Sequence, residues 1–291
     1  MTTALLFPGQ GVQRPEASLE LFRRWPDEVD QASTALGFDL VRLCHEADEA
    51  ELARTRHTQP LTYLTSALAF RESGLVPEVV LGHSLGEFNA LEAAGVFDLA
   101  TGLELVRQRA VLTSDCPPGV MTAVQGLSAE VIGTALAEEG LYAVEIVNFN
   151  TPVQVVLAGP PEPMAAAEAL VRRLNAVDVR RLRITGAFHS SHMHGPARRF
   201  AEVLAGVGLA APRVPVVANR TARPHEPGRI GAVLAQHLTH PVRWHESVTW
   251  VTEHYPDVRF TQPGHSQVLV RMLAQIPATR HHARLAAGGS R

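Results

Sequence analysis

Cysteine is scarce in this chain of 291 residues: Cys44 and Cys116 are the only two. They allow one bridge at most, so a disulfide scaffold is excluded and the expected setting is a reducing cytoplasm with two incidental thiols. A basic excess is missing too. Lys and Arg total 26 against 29 Asp and Glu, a formal net charge of −3, and the electrostatic footprint of a dedicated nucleic-acid binder is absent. Nowhere do about 18 consecutive apolar residues occur to span a bilayer. Met1 to Phe7 lacks a basic n-region and its apolar run stops at Pro8-Gly9, so no secretory signal is expected. What is present is core material: 46% hydrophobic residues with 19% charged, enough for a large core and a satellite, which rules out disorder. Length alone suggests roughly two domains of about 150 residues.

Ala4 to Phe7 is a short apolar run closed by Pro8-Gly9-Gln10-Gly11, the pattern of a buried strand entering a sharp turn. Val79 to Leu81, followed by Gly82, repeats it. Apolar residues at three- and four-residue spacing predict helices over Leu61 to Phe70, Glu87 to Ala94 and Leu99 to Leu112. Strands alternating with helices imply a parallel sheet covered on both faces. Between Gly119 and Thr185 the texture changes to strand (Val120 to Val124), helix (Ala129 to Glu139), strands (Tyr142 to Val147, Val153 to Ala158), helix (Pro163 to Asn175) and strand (Val177 to Ile184). That order is the split βαβ, ferredoxin-like arrangement. The expected architecture is an α/β fold with a large, discontinuous domain, 1–118 and 186–291, and a small ferredoxin-like insertion at 119–185. In the last of those strands Arg180, Arg181 and Arg183 alternate with apolar residues, which predicts a solvated basic sheet face. Val214 to Val217, a helix over Ile230 to Leu238, Trp244 to Val251 and a last strand over Val258 to Thr261 return to core-like material, and the tail from His281 reads as loose.

Gly82-His83-Ser84-Leu85-Gly86 stands between a predicted strand and a predicted helix, the context of a nucleophile elbow. A serine on so tight a turn needs neighbours with almost no side chain, and it gains helix N-terminal N–H groups facing any negative charge that develops. Its base must come from fourteen histidines. His189, in Gly186-Ala187-Phe188-His189-Ser190, follows an apolar strand and small residues that let an imidazole approach. By spacing alone His189, His192 and His194 could also ligate a metal, but no further ligand at recognisable spacing accompanies them, and no metal is expected. His83, beside the serine, reads as a structural polar residue.

With these residues in view, the chain resembles the malonyl-CoA:acyl carrier protein transacylases. Leu6 to Gly11, Gly82 to Phe88, Val106-Arg107-Gln108-Arg109 and Ala187 to Ser190 are similar to that family's four signatures in order and spacing. Gly82 to Ala94, Asn219 to Pro224 and Pro241 to Glu246 look closest to the discrete, trans-acting acyltransferases of polyketide assembly lines. The resemblance implies an α/β-hydrolase-like large domain in which Ser84 is the nucleophile and His189 the general base. It implies an oxyanion hole from the backbone N–H groups of Gln10 and Leu85, and a bidentate pair between Arg109 and the free carboxylate of a malonyl group. Phe188 would restrict the acyl branch, since in the family phenylalanine there accompanies malonyl and serine accompanies methylmalonyl. Asn148 and Asn150 align with polar residues near the pantetheine channel. Gln262 and Gly264 lie in the loop near which a main-chain carbonyl orients the histidine. Malonyl-CoA would be the donor, the phosphopantetheine thiol of an acyl carrier protein the acceptor, with no bound cofactor.

The chain departs from the family at Ala110, usually glycine, at Thr113, usually methionine, and at Gln262-Pro263-Gly264-His265-Ser266, where an acidic residue usually precedes the turn. Rival readings keep the serine and change its partner or acceptor. One is the same fold with another acyl group or an acyl-carrier donor. Another is a serine thioesterase or acyl-carrier hydrolase, whose order Ser, Asp, His is met formally by Ser84, Asp178 and His189. Against hydrolysis stand Arg109 and the Gln10 loop, which a lipase does not need.

Overall fold

The computed structural model describes residues 1–11 and 14–279. The expected loose tail from His281 lies outside them. Four strands, β1 (Thr3–Phe7), β2 (Val79–Gly82), β7 (Val216–Val217) and β8 (Arg259–Thr261), form a wholly parallel sheet in the order β7-β2-β1-β8. Side chains alternate across a strand, and here each parity has its own core. Leu5, Phe7 and Val80 join a large apolar cluster with Leu61, Leu64, Phe88 and Val106 from the helices Thr55–Ser73, Gly86–Ala93 and Leu99–Ser114. Ala4, Leu6, Val79 and Leu81 face the other way, onto Trp244, Val248 and Val251 of Trp244–His254 and Leu269 of Val268–Leu273. Both faces being covered, the strands read as continuous apolar runs.

The second sheet comprises β3 (Val120–Gln125), β4 (Glu145–Thr151), β5 (Gln154–Gly159) and β6 (Asp178–Arg181), in the order β4-β5-β3-β6 with every neighbour antiparallel. The helices Ala129–Glu138 and Pro161–Arg173 pack on one face, through Val124, Val155, Leu157, Ile132, Met164 and Val171. Met121, Val147, Val156 and Ala158 instead belong to the same cluster as Leu85 and Phe188. The two sheets therefore share one core along this face. Backbone bonds from Phe149 N–H to the Val242 carbonyl, 2.9 Å, and from Val242 N–H to the Val147 carbonyl, 2.9 Å, tie β4 to the larger unit.

Three expectations change. Asn148 to Thr151, read as a connection, are strand: β4 starts later than Tyr142 because Leu141 to Val144 form a turn closed by the Val144 N–H and the Leu141 carbonyl. The strand over Val177 to Ile184 shortens to β6. Arg180, Arg181 and Arg183 are all exposed, as expected, but they do not share one face. Arg181 pairs with Glu168 at 2.7 Å, whereas Arg180, with Leu182 and Ile184, lines the cleft between the sheets. Residues 15–52 fold into the short helices Pro15–Phe22, Pro26–Leu36, Leu40–Glu46 and Glu49–Leu52. Asp39 and Asp48 each cap a following helix by accepting a backbone N–H. No helix among the described residues is long and apolar enough to cross a membrane.

Candidate active site

Ser84 stands where β2 turns into the helix Gly86–Ala93, with φ of 52°, a left-handed backbone that costs a non-glycine residue about 1 to 3 kcal/mol. Its flanking glycines are required sterically. A Cβ on Gly82 would fall 2.0 Å from the Gly86 carbonyl carbon, and one on Gly86 would fall 2.1 Å from the Phe7 carbonyl oxygen. Asn219, just beyond β7, clamps the turn. Its Oδ1 accepts the Ser84 N–H at 2.7 Å and its Nδ2 donates to the Gly82 carbonyl.

The Ser84 Oγ lies 2.7 Å from His189 Nε2. On the far side of the ring, Nδ1 is 2.8 Å from the main-chain carbonyl of His237. A carbonyl only accepts, so Nδ1 carries the proton, and Nε2 is left to accept the serine's hydroxyl hydrogen. Burial first, and the nearby Arg109 cation second, lower the His189 pKa to about 3, so the imidazole is neutral near neutral pH. His189 also has a positive φ, 64°. The carbonyl that orients it belongs to His237, which corrects the expectation placed on the Gln262 and Gly264 loop. Gln262 is committed to its own turn, where its Oε1 accepts the Leu269 N–H at 3.0 Å and its carbonyl accepts from Gln267 at 3.2 Å. Gly264 lines a separate small cavity with Pro8, Arg14 and Ser66. Nor does a carboxylate complete the pair, since Asp178 sits exposed on β6. His192 meets the Ala143 carbonyl instead, at 3.2 Å. No group of three or more His, Cys, Asp or Glu among the described residues is placed to hold a metal ion.

Arg109 is 1% exposed. Its Nη1 donates to Gln59 Oε1 at 2.6 Å, while its Nη2 has no partner. The guanidinium carbon lies 5.6 Å from the Phe188 ring centroid and 6.0 Å from that of Phe88. Desolvation lowers its pKa to about 10, against an opposing pull from the Glu87 carboxylate, so it stays charged near neutral pH. Thr113, in the position usually held by methionine, donates its hydroxyl to the Arg109 carbonyl at 2.7 Å.

These groups meet in a cleft of about 210 Å³ lined by Gly9, Gln10, Ser84, Arg109, Phe188 and His189 on one side and by β3, β4, β5 and the β6 end on the other. Gly9 approaches the elbow closely, for a Cβ there would lie 3.6 Å from the Ser84 Cβ. Leu85 directly precedes the helix Gly86–Ala93, where first-turn N–H groups lack intrahelical acceptors. Asn148 lines the cleft with an unpartnered Oδ1, whereas the Asn150 Oδ1 is held by His83 Nε2 at 2.8 Å. Gln59, Asn219 and His237 were not singled out from sequence. Asn219 opens the Asn219 to Pro224 segment that resembles the trans-acting acyltransferases, which gives it no role by itself, and Gln59 and His237 lie in no motif.

Residues 5–283 match the acyl transferase domain family. The chain belongs to that family. The acyltransferase is 38% identical over 276 residues to the polyketide biosynthesis malonyl CoA-acyl carrier protein transacylase BaeC of Bacillus velezensis, covering 93% of this chain and 95% of that protein. The crystal structure of the Burkholderia pseudomallei malonyl CoA-acyl carrier protein transacylase superposes with a TM-score of 0.90 at 42% identity, over 95% of this chain and 98% of that one. A malonyl transacylase solved with a type II polyketide synthase acyl carrier protein gives a TM-score of 0.88 at 32% identity, over 96% and 94%.

Proposed function

We propose that this acyltransferase moves a malonyl group from coenzyme A to the phosphopantetheine thiol of an acyl carrier protein, in polyketide assembly, through an ester on Ser84. The observation that carries the reading is the meeting, in one cleft, of the Ser84 and His189 pair with a buried Arg109 whose Nη2 is unpartnered. The neutral His189 takes the hydroxyl proton as Ser84 Oγ attacks the thioester carbonyl. The backbone N–H groups of Gln10 and Leu85 receive the oxyanion. His189 returns its proton to the departing thiolate. The carrier's thiol then gives a proton to His189, attacks the seryl ester, and Ser84 recovers its hydrogen. No metal or redox cofactor enters either step.

Arg109 binds the free malonyl carboxylate with the guanidinium edge that carries the unpartnered Nη2, a geometry that an ammonium cannot match. Phe188, packed against that guanidinium, disfavours a branch methyl by steric overlap without excluding it. Asn148 offers its free Oδ1 to a pantetheine amide. The segment 119–185, with its strands in the order fourth-first-third-second, reads as a ferredoxin-like unit inserted between 1–118 and 186–291, its open face roofing the cleft. Brief incubation with malonyl-, methylmalonyl- and acetyl-CoA, with and without a holo carrier protein, followed by intact-mass analysis, tests the assignment. Malonyl mass on the protein that a carrier discharges is the expected result. Free malonate released regardless of the carrier would indicate a hydrolase.

A further inference from the structure

Glu87 is fully buried and lies at the base of the site, yet the two-step chemistry gives it no task. Its Oε2 accepts the Asn219 N–H at 3.1 Å, and the Asn219 side chain accepts the Ser84 N–H at 2.7 Å. The same Oε2 lies 3.7 Å from His237 Nδ1, a packing contact and not a hydrogen bond, and the His237 carbonyl accepts from His189 Nδ1 at 2.8 Å. The His237 and His189 rings lie against each other with centroids 4.7 Å apart, their planes tilted by 37°. Oε1 is held by His225 Nε2 at 2.7 Å, which fixes the carboxylate plane. One side chain thus touches the residue that clamps the serine's turn and the residue whose carbonyl orients the histidine. Both catalytic residues have positive φ, a backbone that persists only when its surroundings over-determine it.

The geometry points to Glu87 as a positioning residue that sets the distance between Ser84 and His189, by reach rather than by charge. The inference rests on the proposed acylation of Ser84. Glu87→Asp keeps the charge and withdraws the carboxylate by one carbon. Glu87→Gln keeps the reach and one acceptor oxygen, and His225, whose Nδ1 is unpartnered, can change tautomer to accept from the amide.

Single-turnover acylation by malonyl-CoA, followed by intact mass and expressed per folded molecule, separates these cases. The aspartate variant should acylate about 10²-fold more slowly, the cost of a misplacement near 1 Å, with the half-saturating malonyl-CoA concentration within twofold of wild type. The glutamine variant should stay within about fivefold of wild type. Combining Glu87→Asp with Asn219→Ala should cost less than the product of the two single losses, because both act through one chain of contacts. An aspartate variant as fast as wild type, a glutamine variant as slow as the aspartate one, a loss confined to half-saturation, or multiplicative losses in the double variant would each overturn the proposal. If the aspartate variant is too unstable to purify, Asn219→Ala reads the same chain from its other end: a comparable slowing supports the proposal and a wild-type rate refutes it. A wild-type protein that gains no malonyl mass would instead refute the acylation reading itself.

Discussion

Replacing Arg109 with alanine separates malonyl recognition from acyl transfer. The guanidinium is enclosed by Phe88, Phe188 and Gln59, its Nη2 is buried and unpartnered, and Arg109 lines the cleft. A malonyl carboxylate entering this dry site in the alanine variant would be a buried charge without its counter-ion, and removing one member of such a pair costs about 3 to 5 kcal/mol. At about 1.4 kcal/mol per tenfold, malonyl loading should fall by roughly 10²- to 4 × 10³-fold. Acetyl-CoA carries no carboxylate, so its loading should stay within a few-fold of wild type or improve. The substitution also leaves the Gln59 amide unpaired in the core, at a cost of about 1 to 3 kcal/mol, so rates must be expressed per folded molecule, checked by circular dichroism and thermal melting. Arg109→Lys restores a point charge without the fork and should fall between alanine and wild type for malonyl. The measurement is seryl-ester formation by intact mass with the two donors side by side. Equal losses for malonyl and acetyl would show that Arg109 supports the fold and does not read the substrate.

Ser84→Ala should abolish acyl mass while the protein stays folded; an acyl adduct on this variant would refute the elbow assignment. Because the Ser84 φ is 52°, Ser84→Gly should be more stable than Ser84→Ala by about 1 kcal/mol, read as the difference between their denaturation midpoints; no difference would argue against strain at the elbow. Phe188→Ser should raise methylmalonyl loading relative to malonyl by roughly 10- to 200-fold, the worth of a small group in a pocket, and an unchanged ratio would remove Phe188 from selectivity. Burial lowers the pKa values of His83, His189 and His237, with His189 falling from an ordinary 6.5 to about 3. The unfolded chain therefore takes up these protons first, and stability should be lost progressively as pH falls below about 6.5 toward 3. A denaturant midpoint that stays constant from pH 7 to 4.5 would contradict neutral buried histidines.

The elbow was legible from sequence because its physics is local: a strand, two glycines forced by close backbone approach and a helix follow one another within a dozen residues. The parallel strands were legible for a similar reason, since burial on both faces leaves continuous apolar runs. At β6 the sequence conveys that Arg180, Arg181 and Arg183 are exposed, but alternation does not report what each face meets. Only the second sheet folding over the cleft assigns Arg180 and Leu182 to its wall. The acceptor for His189 lay beyond reach of any motif, because it is a main-chain carbonyl and every residue has one. Gln262 looked eligible until the fold engaged it with Leu269 and placed His237 beside the imidazole. Gln59, 50 residues from Arg109, and Asn219, 135 residues from Ser84, are brought in by helix packing and strand order. Residue type and spacing thus determined which groups carry the chemistry. Long-range packing of the two sheets decided which neighbours hold those groups in place, since a hydrogen-bond partner brought from a distant segment leaves no periodic trace along the chain.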